Sequence, residues 1–279
     1  MTFFSSDFHL FKNTDVTYVN NAEKFQQIPT IQQDSFQYLK SAENTANTVR
    51  YVFVRHGQTH TNASGGLPGS RTSNDPLTSK GEEQALECGK ALKETSLSFD
   101  AVYLSPTLRT RQTLEKIQNE FDSILTLIED ERLHEKNHGK YEQYGSMDEE
   151  GRTKLKEDYK SIKTREIDGP DKTFAEKFAH SPEPGEVESL SDIYSRVASF
   201  IEETYARSKK EGANYLVISH FGVLKTLFMQ DAFKRGFDID YRVHDLKNCG
   251  VVVIEMNAQG IQMVATNGIR FTPKKIATH

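Results

Sequence analysis

Tyr51-Val52-Phe53-Val54-Arg55-His56-Gly57-Gln58-Thr59-His60-Thr61-Asn62 is the stretch on which the fold turns. Its first four residues form an unbroken β-branched and aromatic run, the composition of a strand buried on both faces. Polar residues begin abruptly at Arg55. Arg55 and His56 therefore stand at the carboxyl end of a buried strand, where open α/β sheets hold their ligands, and Gly57 is expected to let the backbone turn close to a bound group. A guanidinium beside an imidazole at such an end is a phosphate-type site with a nucleophile in it.

Working outward, the same pattern recurs twice. Ala101-Val102-Tyr103-Leu104 reads as a second strand, with Ser105-Pro106 as cap and first residue of the following helix. Arg109 then lies in the first turns of that helix, where a cation runs against the dipole and is best explained by an anion beside it. Arg111, two residues on, reads as a surface residue. Tyr215-Leu216-Val217-Ile218 is another buried run, ending in Ser219-His220-Phe221-Gly222 and followed by a helix over about Val223 to Gln230. Three separate strands thus deliver Arg55 with His56, Arg109, and His220 to one edge of a sheet.

The remaining elements fit around these. Ser79 and Glu82 have the spacing of a capping box, and Ala85, Cys88 and Leu92 fall on one face of the helix it opens. Ile124 to Ile128 reads as a strand. Glu129 to Lys140 is a charged run with the character of a solvated loop, and Tyr141 to Pro184 is polar and weakly helical, including 148–163. Ser189 and Asp192 form a second helix start, and Leu190, Ile193, Val197, Phe200, Ile201 and Thr204 keep a helical stripe that packs on the sheet. Strands over Val251 to Glu255 and Ile261 to Ala265 close the domain. The expected fold is α/β, a three-layer α/β/α sandwich with a mostly parallel central sheet.

The 279 residues are enough to bury a large core. Residues 1–48, rich in Asn, Thr, Gln and Ser, form an N-terminal extension to a domain over 49–279, with a short helix expected over Asp34 to Ala42. A net charge of −5 gives no global basic field, so nucleic acid and membrane are not expected partners and an anionic substrate must be held by a local cluster. Cys88 and Cys249, far apart in sequence, read as reduced residues of a cytoplasmic protein. No apolar run spans a bilayer and Met1 to Leu10 make a poor leader. Oligomeric state is not legible.

Arg55-His56-Gly57 with Asn62 five residues on resembles the signature of the histidine phosphatase superfamily, the phosphoglycerate-mutase-like branch. Pro76 to Ala85, Ser105 to Thr113 with Arg109 inside it, Leu133-His134-Glu135 with Gly139, and Ser219-His220-Phe221-Gly222 resemble that family's further phrases. The resemblance implies phosphomonoester hydrolysis through a phosphohistidine on His56. Glu135 is the proton donor and acceptor, Arg55, Arg109 and His220 complete the catalytic set, and Asn62, Gly69 and Phe221 meet the substrate, a small-molecule phosphomonoester. It implies neither metal nor cofactor, and a lid insertion over about 141–184. His134 and His138 depart from the expected surroundings of Glu135, as specificity residues or as exposed ones. Arg71, Lys136 and Lys140 hint at further anionic groups on the substrate, with solvated surface as the plainer reading of each.

Three other readings compete. A phosphomutase would use the same chemistry, but the true mutases carry paired arginines in the insertion, whereas Arg152 and Arg165 stand singly here. A metal-dependent hydrolase built on His56, His60, His134, His138 and His220 lacks an accompanying ligand motif. A catalytically silent phospho-ligand scaffold is opposed by the filling of every expected catalytic position.

Overall fold

The computed structural model describes residues 34–64, 74–121, 126–162, 174–181, 186–234, 237–238, 246–267 and 274–275. Its centre is a six-stranded sheet ordered β3-β2-β4-β1-β6-β7, from β1 (Val49–Arg55), β2 (Ala101–Leu104), β3 (Leu127–Glu129), β4 (Ala213–Ser219), β6 (Val251–Asn257) and β7 (Gly260–Asn267). A two-stranded ribbon pairs β5 (Phe237–Asp238) with β8 (Lys274–Lys275). Strands β3, β2, β4 and β1 pair in parallel, while β6 runs antiparallel to both β1 and β7.

Strand β1 shows why its sequence is apolar throughout. Val49, Tyr51 and Phe53 face one core and Val52 and Val54 the other, all fully buried, because successive side chains alternate across a sheet that is covered on both sides. On one side lie α1 (Ser35–Lys40), α3 (Ser79–Lys93) and α4 (Leu108–Gln118), which bring Leu39, Cys88, Leu92, Leu114 and Ile117 to the sheet. On the other lie α7 (Leu190–Ser208) and α8 (Phe221–Lys234), with Ile193, Val197, Phe200, Ile201, Val223, Leu224 and Phe228. The stripe expected on α7 is buried in full, Thr204 included. Three layers and a mostly parallel sheet are therefore the architecture.

Several boundaries differ from expectation, for identifiable reasons. Helix α3 is capped by Thr78, not Ser79: the Thr78 side chain accepts from the Gly81 amide, while its own N–H and hydroxyl donate to the Gln58 carbonyl. A tertiary contact thus chose between two adjacent hydroxyl residues. Helix α4 begins at Leu108 behind Thr107, because the Ser105 side chain is engaged elsewhere. Of the third expected strand, Ile124 lies outside the described residues. Strand β3 covers Leu127–Glu129 and leaves Leu127 and Ile128 exposed.

Helix α1, at the end of the N-terminal segment, is part of the packed structure. Asp34 caps it, Ser35 donates to the Val251 carbonyl, and the Tyr38 hydroxyl donates to Glu255. Beside them Arg50, almost fully buried, pairs with Glu255 at 2.7 Å and also reaches Asn214 and the Glu43 carbonyl. Between α4 and α7 the chain forms short 3-10 turns over Glu131–Leu133 and Gly139–Ser146, then α5 (Glu149–Ile162) and α6 (Phe174–Ala179). Helix α2 (His60–Ala63) follows β1 directly.

Candidate active site

The carboxyl ends of β1, β4 and β2 lie side by side, and backbone hydrogen bonds carry their alignment past the last sheet residue. The His56 amide donates to the Ser219 carbonyl, and the Ser105 amide donates to that of Ile218. His56, Ser105 and His220 are consequently brought into one cluster.

His56 is buried, and its Nδ1 lies 2.8 Å from the Gly57 carbonyl. A carbonyl only accepts, so Nδ1 carries the proton and Nε2 keeps its lone pair. Burial lowers the His56 pKa well below the ordinary imidazole value, and the charges of Arg109 and then Arg55 lower it further. The ring is therefore neutral at physiological pH. His220, wholly buried, lies edge-on with its centroid 5.3 Å from that of His56. Its Nδ1 accepts from Arg109 Nε at 3.3 Å and its Nε2 faces Ser105 Oγ at 2.8 Å. Burial, then Arg109, holds it neutral as well.

Arg109 is itself buried, in the first turn of α4, and Thr113 one turn on accepts the Gly57 amide while donating to the Arg109 carbonyl. Arg55 donates to the Leu246 carbonyl and lies over the Phe221 ring at 5.3 Å. Arg111 does not join them. It is half exposed and pairs bidentately with Glu129, as a surface residue would.

Glu135 is buried with its carboxylate against the start of α8, accepting from the amides of Gly222 and Lys136. Its placement explains Gly222: a Cβ there would overlap Glu135 Oε1. Gly57 also has a packing reason that its sequence did not show. A Cβ on Gly57 would strike the Gly81 carbonyl, and one on Gly81 would strike that of Gln58, so these two glycines let α3 press backbone to backbone on the loop that carries His56.

Asn62 is held by the cap of α2, its Oδ1 accepting from the Thr59 amide and from Asn248. Asn248 also donates to the His56 carbonyl, so it ties the histidine loop to Asn62. Sequence reading missed this role. Asn248 sits just before β6 and nearly two hundred residues from its partners, and its only signal was a polar residue two before a glycine. Gly69 and Arg71 lie outside the described residues. The charged run is not a solvated loop: Leu133, Glu135, Lys136 and His138 are all buried in it. Burial, with the nearby charge of Lys136, pushes the His138 pKa down to about 3. Lys140, by contrast, is exposed and 3.6 Å from Asp158.

Among the described residues no three His, Cys, Asp or Glu side chains converge as a metal ion would need, and no helix is long and apolar enough to cross a membrane.

The model of the histidine phosphatase superfamily, branch 1, matches residues 51–268. A 2,3-bisphosphoglycerate-dependent phosphoglycerate mutase of Rhizobium etli is 31% identical over 176 residues, which are 63% of this chain and 77% of that protein. A broad-specificity phosphatase of Saccharomyces cerevisiae is 29% identical over 187 residues, covering 65% of this chain and 69% of the yeast protein. The crystal structure of the alpha-ribazole phosphatase from Shigella flexneri superposes with a TM-score of 0.56 at 22% identity, over 83% of this chain and 100% of that one.

Proposed function

This chain belongs to the histidine phosphatase superfamily, branch 1, and we propose that within it the protein is a phosphatase that hydrolyses a small-molecule phosphomonoester through a phosphohistidine on His56. The observation that carries the reading is the state of His56: neutral, with Nδ1 tied to its own loop and Nε2 bare, beside two permanently charged guanidiniums.

In the first step the Nε2 lone pair attacks phosphorus and the bond from phosphorus to the ester oxygen breaks. Glu135, entering as the carboxylic acid, gives its proton to the departing oxygen. In the second step water attacks the phosphohistidine, the P–N bond breaks, the Glu135 carboxylate takes a proton from the water, and phosphate leaves. Arg55 and Arg109 offset the charge that spreads over the phosphoryl oxygens in both transition states. His220 accepts from Arg109 in the free protein. Because Nδ1 accepts, the proton of its neutral ring is on Nε2, which turns from Ser105 Oγ to donate to a phosphoryl oxygen. Asn62, whose Oδ1 is already used, offers its Nδ2 to the same group. The lid insertion expected over about 141–184, of which 163–173 and 182–185 lie outside the described residues, is assigned the role of covering the leaving group.

Phosphoglycerate mutases among the relatives favour a second reading, in which the phosphoryl group returns to a bound sugar acid. The absence of paired arginines between Glu135 and Pro184 supports water as the acceptor. Rapid-quench mass spectrometry with an aryl phosphate tests the reading. A phosphoryl adduct on His56, absent in His56→Ala and discharged to water in the presence or absence of phosphoglycerate, is expected. No adduct would overturn covalent catalysis, and discharge only to the sugar acid would make the protein a mutase.

A further inference from the structure

Glu135 sits between a short 3-10 turn and Gly139, in irregular backbone outside any strand. Yet its carboxylate is buried, and proton transfer demands that it stand within hydrogen-bond reach of the leaving oxygen. Something outside the segment has to fix it.

The Gly222 amide meets the carboxylate itself, and the backbone that carries it is held from α7. One Arg196 guanidinium donates to the Arg132 carbonyl at 2.5 Å, to the Glu135 carbonyl at 3.3 Å, and to both carboxylate oxygens of Glu188 at 3.0 and 3.1 Å. Glu188 in turn accepts from the Asn137 amide at 2.8 Å, and its own amide donates to the Asn137 carbonyl at 3.0 Å. Arg196 and Glu188 are each 16% exposed, sheltered but not sealed. From the other side Ser219, at the end of β4, donates to the Leu133 carbonyl at 2.8 Å. The backbone is thus gripped before, at and after Glu135. A bidentate ion pair occupies the junction, and only the planar five-donor fork of arginine serves two carbonyls and a carboxylate together.

We propose that Arg196 and Glu188 are positioning residues for the proton transfer by Glu135: the pair sets the depth of the carboxyl group against the phosphoryl site without touching substrate. The inference rests on the reading of Glu135 as the acid. Misplacing an acid by a fraction of its hydrogen-bond length removes its help to leaving groups that need a proton, and leaves departure of stable anions nearly untouched. A merely structural pair would weaken both alike.

The test compares wild type, Arg196→Lys, Arg196→Met, Glu188→Gln and Glu135→Gln on monophosphates whose leaving groups run from p-nitrophenolate to simple alkoxides. The readout is kcat/KM, which reports formation of the phosphoenzyme. For Arg196→Lys and Glu188→Gln, about a tenfold or greater loss on alkyl phosphates is expected, with about threefold or less on p-nitrophenyl phosphate, giving a steeper dependence on leaving-group acidity. Arg196→Met should show the same bias more strongly, and Glu188→Gln, which keeps volume and shape, guards against misfolding in the arginine variants. Equal losses on both substrate types, or none, would overturn the positioning role if Glu135→Gln itself shows the bias. Absence of the bias in Glu135→Gln would overturn the reading of Glu135, and the positioning role with it.

Discussion

Gly222 and Glu135 occupy each other's space: the Gly222 amide donates to Glu135 Oε1 at 3.0 Å, and the Cβ of any other residue at 222 would overlap that oxygen. Gly222→Ala is therefore expected to displace the carboxylate and leave the sheet intact. The displaced group is the end of a side chain, so the stability cost should be modest, about 1–3 kcal/mol. Activity on alkyl phosphates should fall by about 100-fold. Thermal unfolding and steady-state kinetics on the same preparation check both, and full activity in Gly222→Ala would show that Glu135 does not work from this position.

Arg109 and Arg111 lie two residues apart and differ in every physical respect. Arg109→Ala removes a buried cation that donates to His220, and kcat/KM is expected to fall by at least about 10²-fold. Arg111→Ala breaks an exposed pair with Glu129 worth about 0.2–1 kcal/mol and should leave turnover unchanged. Similar kinetic losses in the two variants would remove Arg109 from the phosphoryl site.

Three buried histidines make stability depend on pH. His56, His138 and His220 all have folded-state pKa values below the ordinary imidazole value, so below about pH 6.5 the unfolded chain binds protons that the folded chain refuses. Their contribution is fully present above the unfolded value and is lost as pH falls from it toward about 3, where His138 titrates. Each histidine makes the slope about 1.4 kcal/mol per pH unit, so the three set a limit near about 4 kcal/mol per unit. Urea titrations at pH 7.5, 6.5 and 5.5 measure it, and a flat profile would mean that these rings are protonated in the folded protein. Because the His56 ring stays neutral, phosphoenzyme formation should show no acid limb at the ordinary imidazole pKa.

Glu255 carries Arg50 and Tyr38 together, far from the phosphoryl site. Glu255→Ala leaves Arg50 buried without its carboxylate and is expected to cost about 3–5 kcal/mol, part of which Arg50→Met in the same chain should restore. Chemical denaturation of the single and double variants measures the coupling. Additive costs would show that the two charges do not depend on one another.

The fold was largely legible because β1, β2 and β4 are buried on both faces and are written as unbroken apolar runs, and because α7 keeps its helical stripe through Thr204. The residues at strand ends were legible for the same reason: an Arg-His or Ser-His step at the end of such a run has few structural explanations. What escaped depends on distant partners. Thr78 and Ser79 are equivalent as caps until Gln58 selects one. Lys136 and His138 look solvated in a charged run until the packing encloses them, and Asn248 has no meaning until β6 returns beside β1.

The contact of Gly57 with Gly81 has a consequence for descent. Where two side chains meet, one can shrink as the other grows, and a lineage wanders through compensated pairs. Here main chain rests on main chain, so neither position offers a partner able to yield, and a first substitution at either meets carbonyl atoms that no change at the other can withdraw. The distance between helix α3 and the histidine loop is in that sense fixed as geometry, and a change of sequence that keeps the loop in place has to proceed around it.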